Sequence, residues 1–208
     1  MELFLTLVSG LAWTIVYIAC IRIGFKQKTY GIPLFALGLN IAWEVIYAVQ
    51  GLANPSIQTP VNFIWAGCDL VIVYTYFKYG RKHFPENAKA YFTPFSILSF
   101  ATCIALQLAF FFRFEWLEAA QYSAFAQNVT MSILFLVMLY RRNSSEGQSM
   151  IIAVAKWLGT LAPTLLMGIY REFNVYIVMT GIICSVWDLL YIYLLNKKIQ
   201  EEKNVVLK

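Results

Sequence analysis

Four ionisable side chains interrupt long apolar stretches of this 208-residue chain: Glu44, Asp69, Lys156 and Asp188. A charge at membrane depth is costly, so such residues usually face the inside of a helix bundle and mark a site or a pathway. Aromatic rings accompany the acids. Trp43-Glu44-x-x-Tyr47 and Trp187-Asp188-x-x-Tyr191 repeat one pattern, and Trp65 stands four residues before Asp69. On a helix, an acid and a tyrosine three positions later share a face, and Asn40 falls one turn before Glu44 on that face. A carboxyl walled by apolar side chains retains its proton, because burial penalises the charged form. It is then available as a general acid. Aromatic faces stabilise a nearby cation, and a dry cavity keeps water from quenching it. An acid with aromatic walls is what a protonation-triggered polyene cyclisation requires. A lone carboxylic acid protonates a strained epoxide more easily than a bare alkene, which favours an epoxidised prenyl chain.

Other chemistries lack their parts. The sequence holds no DDxxD or DxDD acidic cluster, no GxSxG, no HExxH and no phosphate-cradling glycine loop. Cys20, Cys68, Cys103 and Cys184 fall in four different apolar runs without metal spacing, and His83 is the only histidine. No metal site and no cofactor are expected.

The elements that must position these groups are membrane spans. The chain is 60% hydrophobic and only 13% charged, with mean hydropathy +0.64, whereas soluble domains carry about 25% charged residues. A spanning helix needs about 20 mostly apolar residues. Apolar runs at 3–21, 30–53, 61–79, 91–112, 118–140, 149–171 and 173–195 predict an all-α bundle of seven transmembrane helices, forming a single domain over residues 1–208. Met1-Glu2-Leu3 lacks the basic start of a cleavable signal, so the first run reads as a retained helix. Thirteen of the sixteen Lys and Arg residues flank one side of these spans, Lys208 among them, and only Arg113 and Arg171 flank the other. Short basic loops stay cytoplasmic, which predicts an outside N-terminus and a cytoplasmic C-terminus. The net charge of +5 therefore records topology and not nucleic-acid binding. The expected location is integral and multi-pass, in the plasma membrane of a bacterium or the endoplasmic reticulum of a eukaryote. Ala101, Ala105 and Ala109 form a small-residue stripe that predicts close packing of the fourth helix. Gly159 and Pro163 predict a bend in the sixth.

At 1.5 Å per residue, Glu44 and Asp69 lie roughly 15–20 Å from the cytoplasmic edge, and Lys156 and Asp188 roughly 10 Å. The ionisable groups thus form two layers, with a Lys156–Asp188 ion pair possible in the lower one.

Seven short-looped helices carrying Trp43-Glu44-x-x-Tyr47, Trp65-x-x-x-Asp69 and Trp187-Asp188-x-x-Tyr191 resemble the small integral-membrane terpene cyclases of fungal meroterpenoid and indole-diterpene pathways and their bacterial relatives. The resemblance implies that Glu44 and Asp188 are the essential acids. It implies a hydrophobic prenylated aromatic or indole substrate, often epoxidised, supplied by an upstream prenyltransferase and flavin epoxidase. Asn40, Trp43, Tyr47, Trp65, Asp69, Trp187 and Tyr191 are the expected substrate-binding and cation-stabilising residues around those acids. Two readings compete with a cyclase. Buried acids also serve proton-coupled transporters of small solutes, and they clasp helices together in non-catalytic membrane subunits.

Overall fold

The computed structural model describes residues 1–206, so Lys208 lies outside the described residues. Seven long helices follow one another: α1 (Glu2–Gln27), α2 (Leu34–Ala53), α3 (Gln58–Tyr79), α4 (Phe92–Arg113), α5 (Trp116–Arg142), α6 (Met150–Leu165) and α7 (Val175–Val206). Taken with the helical turns that continue α3, precede α4 and extend α6 to Tyr170, all seven are long and apolar enough to cross a membrane. All seven expected runs are present. Several helices run past the predicted edges into polar residues, α7 furthest, because hydropathy marks the lipid-soluble stretch whereas backbone hydrogen bonding continues beyond it. Two 3-10 turns, Gly80–His83 and Glu86–Tyr91, join α3 to α4.

The radial distribution of polarity is reversed from that of a water-soluble protein. Leu3, Leu11, Ile15, Leu52, Ile64, Leu98 and Val186 are exposed, whereas Asn40, Glu44, Asp69, Gln107, Lys156 and Asp188 are buried. Lipid solvates the apolar exterior, and polar groups inside must satisfy one another.

Packing orders the helices into a ring. Each of α1, α3, α2, α5, α7 and α6 packs on the next, and α6 closes on α1. α4 lies outside this ring, against α2 and α5. The ring puts the acid-bearing faces of α2, α3 and α7 and the Lys156 face of α6 around one interior.

One helix, α4, differs from expectation. Ala101, Ala105 and Ala109 are exposed. α4 instead buries the opposite face, with Ser96, Ser99, Cys103 and Gln107. That face wins because it offers partners: Cys103 Sγ lies 3.6 Å from Phe35 O, and Gln107 Nε2 donates to Leu39 O at 3.3 Å. Gly38 supplies the room, since a Cβ there would come within 2.8 Å of Cys103 Sγ.

In α6, Pro163 lies inside the helix. It has no N–H to offer the carbonyl four residues earlier, which is that of Gly159. That carbonyl is taken up by α1, accepting from Ser9 Oγ at 2.9 Å and Trp13 Nε1 at 3.1 Å. Gly159 has no side chain to hold Trp13 away, and an added Cβ would meet Trp13 Nε1 at 2.9 Å. The two residues thus weld α6 to α1. Beyond Pro163 the helix widens into a π-helical turn, Leu166–Tyr170, before the Arg171–Asn174 link to α7.

Candidate active site

The ring interior contains two polar levels. Glu44 and Asp69 each lie ten residues from the end of their helix nearest the basic loops, or about 15 Å. Lys156 lies six residues into α6, or about 9 Å from the same end. One helical turn therefore separates the levels.

At the upper level, Tyr17 of α1 donates its hydroxyl hydrogen to Glu44 Oε1 at 3.1 Å. α1 and α2 are second neighbours in the ring, with α3 between them, so this bond spans the interior. Asn40 Nδ2 donates both to the Tyr17 oxygen at 2.6 Å and to Asp69 Oδ2 at 2.8 Å. Glu44 is 3% exposed and Asp69 0%. Glu44 Oε2 and Asp69 Oδ1 are buried without a hydrogen-bond partner. Trp65 packs its ring 5.8 Å from that of Tyr17, and its indole N–H reaches Thr14 Oγ1 at 3.2 Å. Tyr47 is buried one turn outward, its hydroxyl unpartnered and its ring 5.0 Å from that of Trp43. Trp43 itself is half-buried and donates to Ala120 O on α5 at 2.9 Å.

At the lower level, Lys156 Nζ bonds both oxygens of Asp188, at 2.7 and 2.9 Å, and Ser132 Oγ at 2.7 Å. All three residues are 0% exposed. The ammonium lies 6.0 Å from the Phe135 ring centre, and Phe135 packs on Tyr191 at 5.5 Å. The Tyr191 hydroxyl turns toward the basic end, to Gln148 Oε1 at 3.0 Å. Trp187 is half-buried, packed against the shared core.

The structure therefore brings Asn40, Glu44, Trp65 and Asp69 together, and separately brings Asp188 and Tyr191 together with Lys156. Glu44 and Asp188 share the ring interior but not a hydrogen bond; Tyr17, Cys20, Met131 and Phe135 belong to one buried apolar cluster of that interior. Sequence reasoning missed Tyr17, Gln107, Gln127 and Ser132. The two glutamines and the serine carry a legible signal, as uncharged polar residues inside apolar runs. Tyr17 carries none, being one of 13 tyrosines.

A polytopic helical membrane protein with carboxyl groups sealed in a ring-lined interior defines a class: membrane enzymes and transporters that handle protons away from water. Comparison with known proteins decides within it. Over residues 1–195 the chain matches the family of Pyr4-like transmembrane terpene cyclases, and it belongs to that family. It is similar to the Pyr4-family terpene cyclase mfmH of Annulohypoxylon moriforme, at 33% identity over 178 residues, which cover 82% of this chain and 71% of mfmH. It is 28% identical to the terpene cyclase andB of Emericella variicolor over 169 residues, 80% of this chain and 71% of andB. The terpene cyclase pyr4 of Aspergillus fumigatus is 27% identical over 200 residues, 89% of this chain and 82% of pyr4. No solved structure matches. The chain is a membrane-bound terpene cyclase, and the transporter reading has no support.

Proposed function

We propose that this enzyme cyclises a prenyl chain, carried on a hydrophobic aromatic acceptor, by proton transfer from Glu44. One observation carries the reading: Glu44 is sealed in the interior with one carboxyl oxygen held by Tyr17 and the other, Oε2, without a partner. An unpaired carboxylate there would be an uncompensated buried charge. A neutral carboxyl instead presents an O–H to whatever enters the interior.

The reaction is an isomerisation. The Glu44 O–H bond breaks and its hydrogen goes to the epoxide oxygen, or to the terminal alkene carbon of a plain chain. The epoxide C–O bond opens, leaving a tertiary cation that the next alkene attacks. The last cation gives up a C–H proton, the C–H pair becoming the new alkene or ring bond. That proton returns to the Glu44 carboxylate directly or through water, so the product is an isomer of the substrate and the acid is regenerated. Trp65, Trp43 and Tyr47 flank Glu44 and supply aromatic faces for the travelling charge. Asp188 has a different part. With both oxygens on Lys156, it is the fixed anion of the interior, beside Phe135 and Tyr191. Asn40 and Asp69 complete the wall opposite Tyr17.

An epoxidised substrate places this enzyme after a prenyltransferase and a flavin epoxidase. The basic loops face the cytoplasm in this reading, and a reporter fused to the C-terminus is expected to be cytoplasmic. The central test supplies epoxidised and plain prenylated aromatics to membranes holding the wild type or Glu44→Gln. The wild type yields a product of unchanged mass and the variant yields none. Cyclisation by a folded Glu44→Gln enzyme would remove Glu44 from its role.

A further inference from the structure

The upper level is the end of a longer file of hydrogen bonds. Gln107 Nε2 on α4 donates to Gln127 Oε1 on α5 at 2.7 Å. Gln127 Nε2 donates to Asn40 Oδ1 at 3.3 Å. Asn40 Nδ2 donates to Tyr17, and Tyr17 donates to Glu44. Every donor in the file points the same way. Gln107 sets this direction: its Nε2 also donates to the Leu39 backbone carbonyl, which can only accept, so Gln127 must turn its oxygen to Gln107 and its nitrogen to Asn40, and Asn40 its nitrogen to Tyr17.

The direction has a chemical consequence at Glu44. The Tyr17 oxygen already accepts from Asn40, so its single hydrogen is directed at Glu44 Oε1. Oε1 is therefore an acceptor, and the hydrogen of a neutral carboxyl sits on Oε2, the oxygen with no protein partner. When that hydrogen leaves, negative charge develops over the carboxylate. A hydrogen bond to an ionised acceptor is about twice as strong as one between neutral groups, so the Tyr17 bond tightens as the transfer proceeds. The amides behind Tyr17 polarise it in the same sense. A donor aimed in advance at developing charge is the usual source of large electrostatic rate effects.

We propose that Tyr17 is the positioning residue of the proton-transfer step, holding the transferable hydrogen on Glu44 Oε2 and stabilising the carboxylate left behind. This rests on the reading of Glu44 as the acid. Tyr17 keeps its own hydrogen throughout; the bonding pair of the broken Oε2–H bond stays on Glu44.

The experiment compares Tyr17→Phe and Glu44→Gln in detergent or nanodiscs with a substrate the wild type accepts, reading kcat, KM, thermal unfolding and the solvent deuterium isotope effect on kcat. Tyr17→Phe is expected to lower kcat about 10- to 100-fold, somewhat less than loss of a full oxyanion donor. KM stays near the wild-type value, and the isotope effect rises as proton transfer becomes more limiting. An unchanged kcat, whether or not unfolding shifts, makes Tyr17 a packing residue and overturns the proposal. So does a change confined to KM. If Tyr17→Phe does not fold, 3-fluorotyrosine at position 17 keeps the ring and strengthens the O–H donor. It is expected to raise kcat, and no change there overturns the proposal equally. Activity in Glu44→Gln would instead sink the underlying reading, whatever Tyr17 does.

Discussion

Lys156 and Asp188 meet in a doubly bonded ion pair, with Nζ 2.7 and 2.9 Å from the two carboxyl oxygens and both residues fully buried. Their helices pack side by side, so the pair locks α6 to α7, while Ser132 ties the same ammonium to α5 across the ring.

Breaking this pair from one side leaves a buried charge unmatched. Asp188→Asn or Lys156→Met alone is expected to destabilise the protein by about 3–5 kcal/mol. The double replacement Lys156→Met with Asp188→Leu restores most of that stability, because two apolar groups leave no charge behind. It stays inactive if the Asp188 charge serves the reaction. Thermal unfolding and product formation on the four proteins separate the two roles.

The Gly159 carbonyl freed by Pro163 makes the α1–α6 contact intolerant of bulk. Gly159→Val drives side-chain atoms into Trp13 and is expected to cost about 1–3 kcal/mol, as overpacking does. Trp13→Phe removes one of two bonds to that carbonyl and costs about 1 kcal/mol. Detergent-resistant unfolding midpoints check both.

On α4 the alanine stripe and the polar face make opposite predictions. Ala105→Leu adds an apolar group to an exposed position and changes stability by less than about 0.5 kcal/mol. Cys103→Leu, pressed against Gly38 at the α2 contact, costs about 1–3 kcal/mol. Equal tolerance at the two positions would show that α4 packs by its alanine face.

Outside the spans, Glu146 holds the loop between α5 and α6 to the 3-10 turn after α3, through an ion pair with Lys82. Burial pushes its pKa up, but the Lys82 hydrogen bond and charge, with His83 and Arg142, outweigh that and hold it below the ordinary value of 4.5. A lowered value means the contact contributes fully above the unfolded group's range. Its contribution is lost as pH falls through the lowered value. Proteolytic cutting within residues 143–149 is therefore expected to rise in acid below about pH 4.5, and Glu146→Gln is expected to show that susceptibility already at neutral pH.

The sequence by itself determined the seven spans and the residues that do not belong in lipid. Each helix must be soluble in the bilayer independently, so Glu44, Asp69, Lys156 and Asp188 stand out against their own neighbours without knowledge of any other helix. The Trp43-Glu44-x-x-Tyr47 and Trp187-Asp188-x-x-Tyr191 patterns were equally local. Only the tertiary structure decided partners. Asp188 bonds a lysine 32 residues away and Glu44 a tyrosine 27 residues away. Those pairings depend on how each helix is rotated and which helices adjoin, and packing of side chains sets both. Hydropathy is silent on rotation, which is why the alanine face of α4 misled and why Tyr17 went unseen among the other tyrosines.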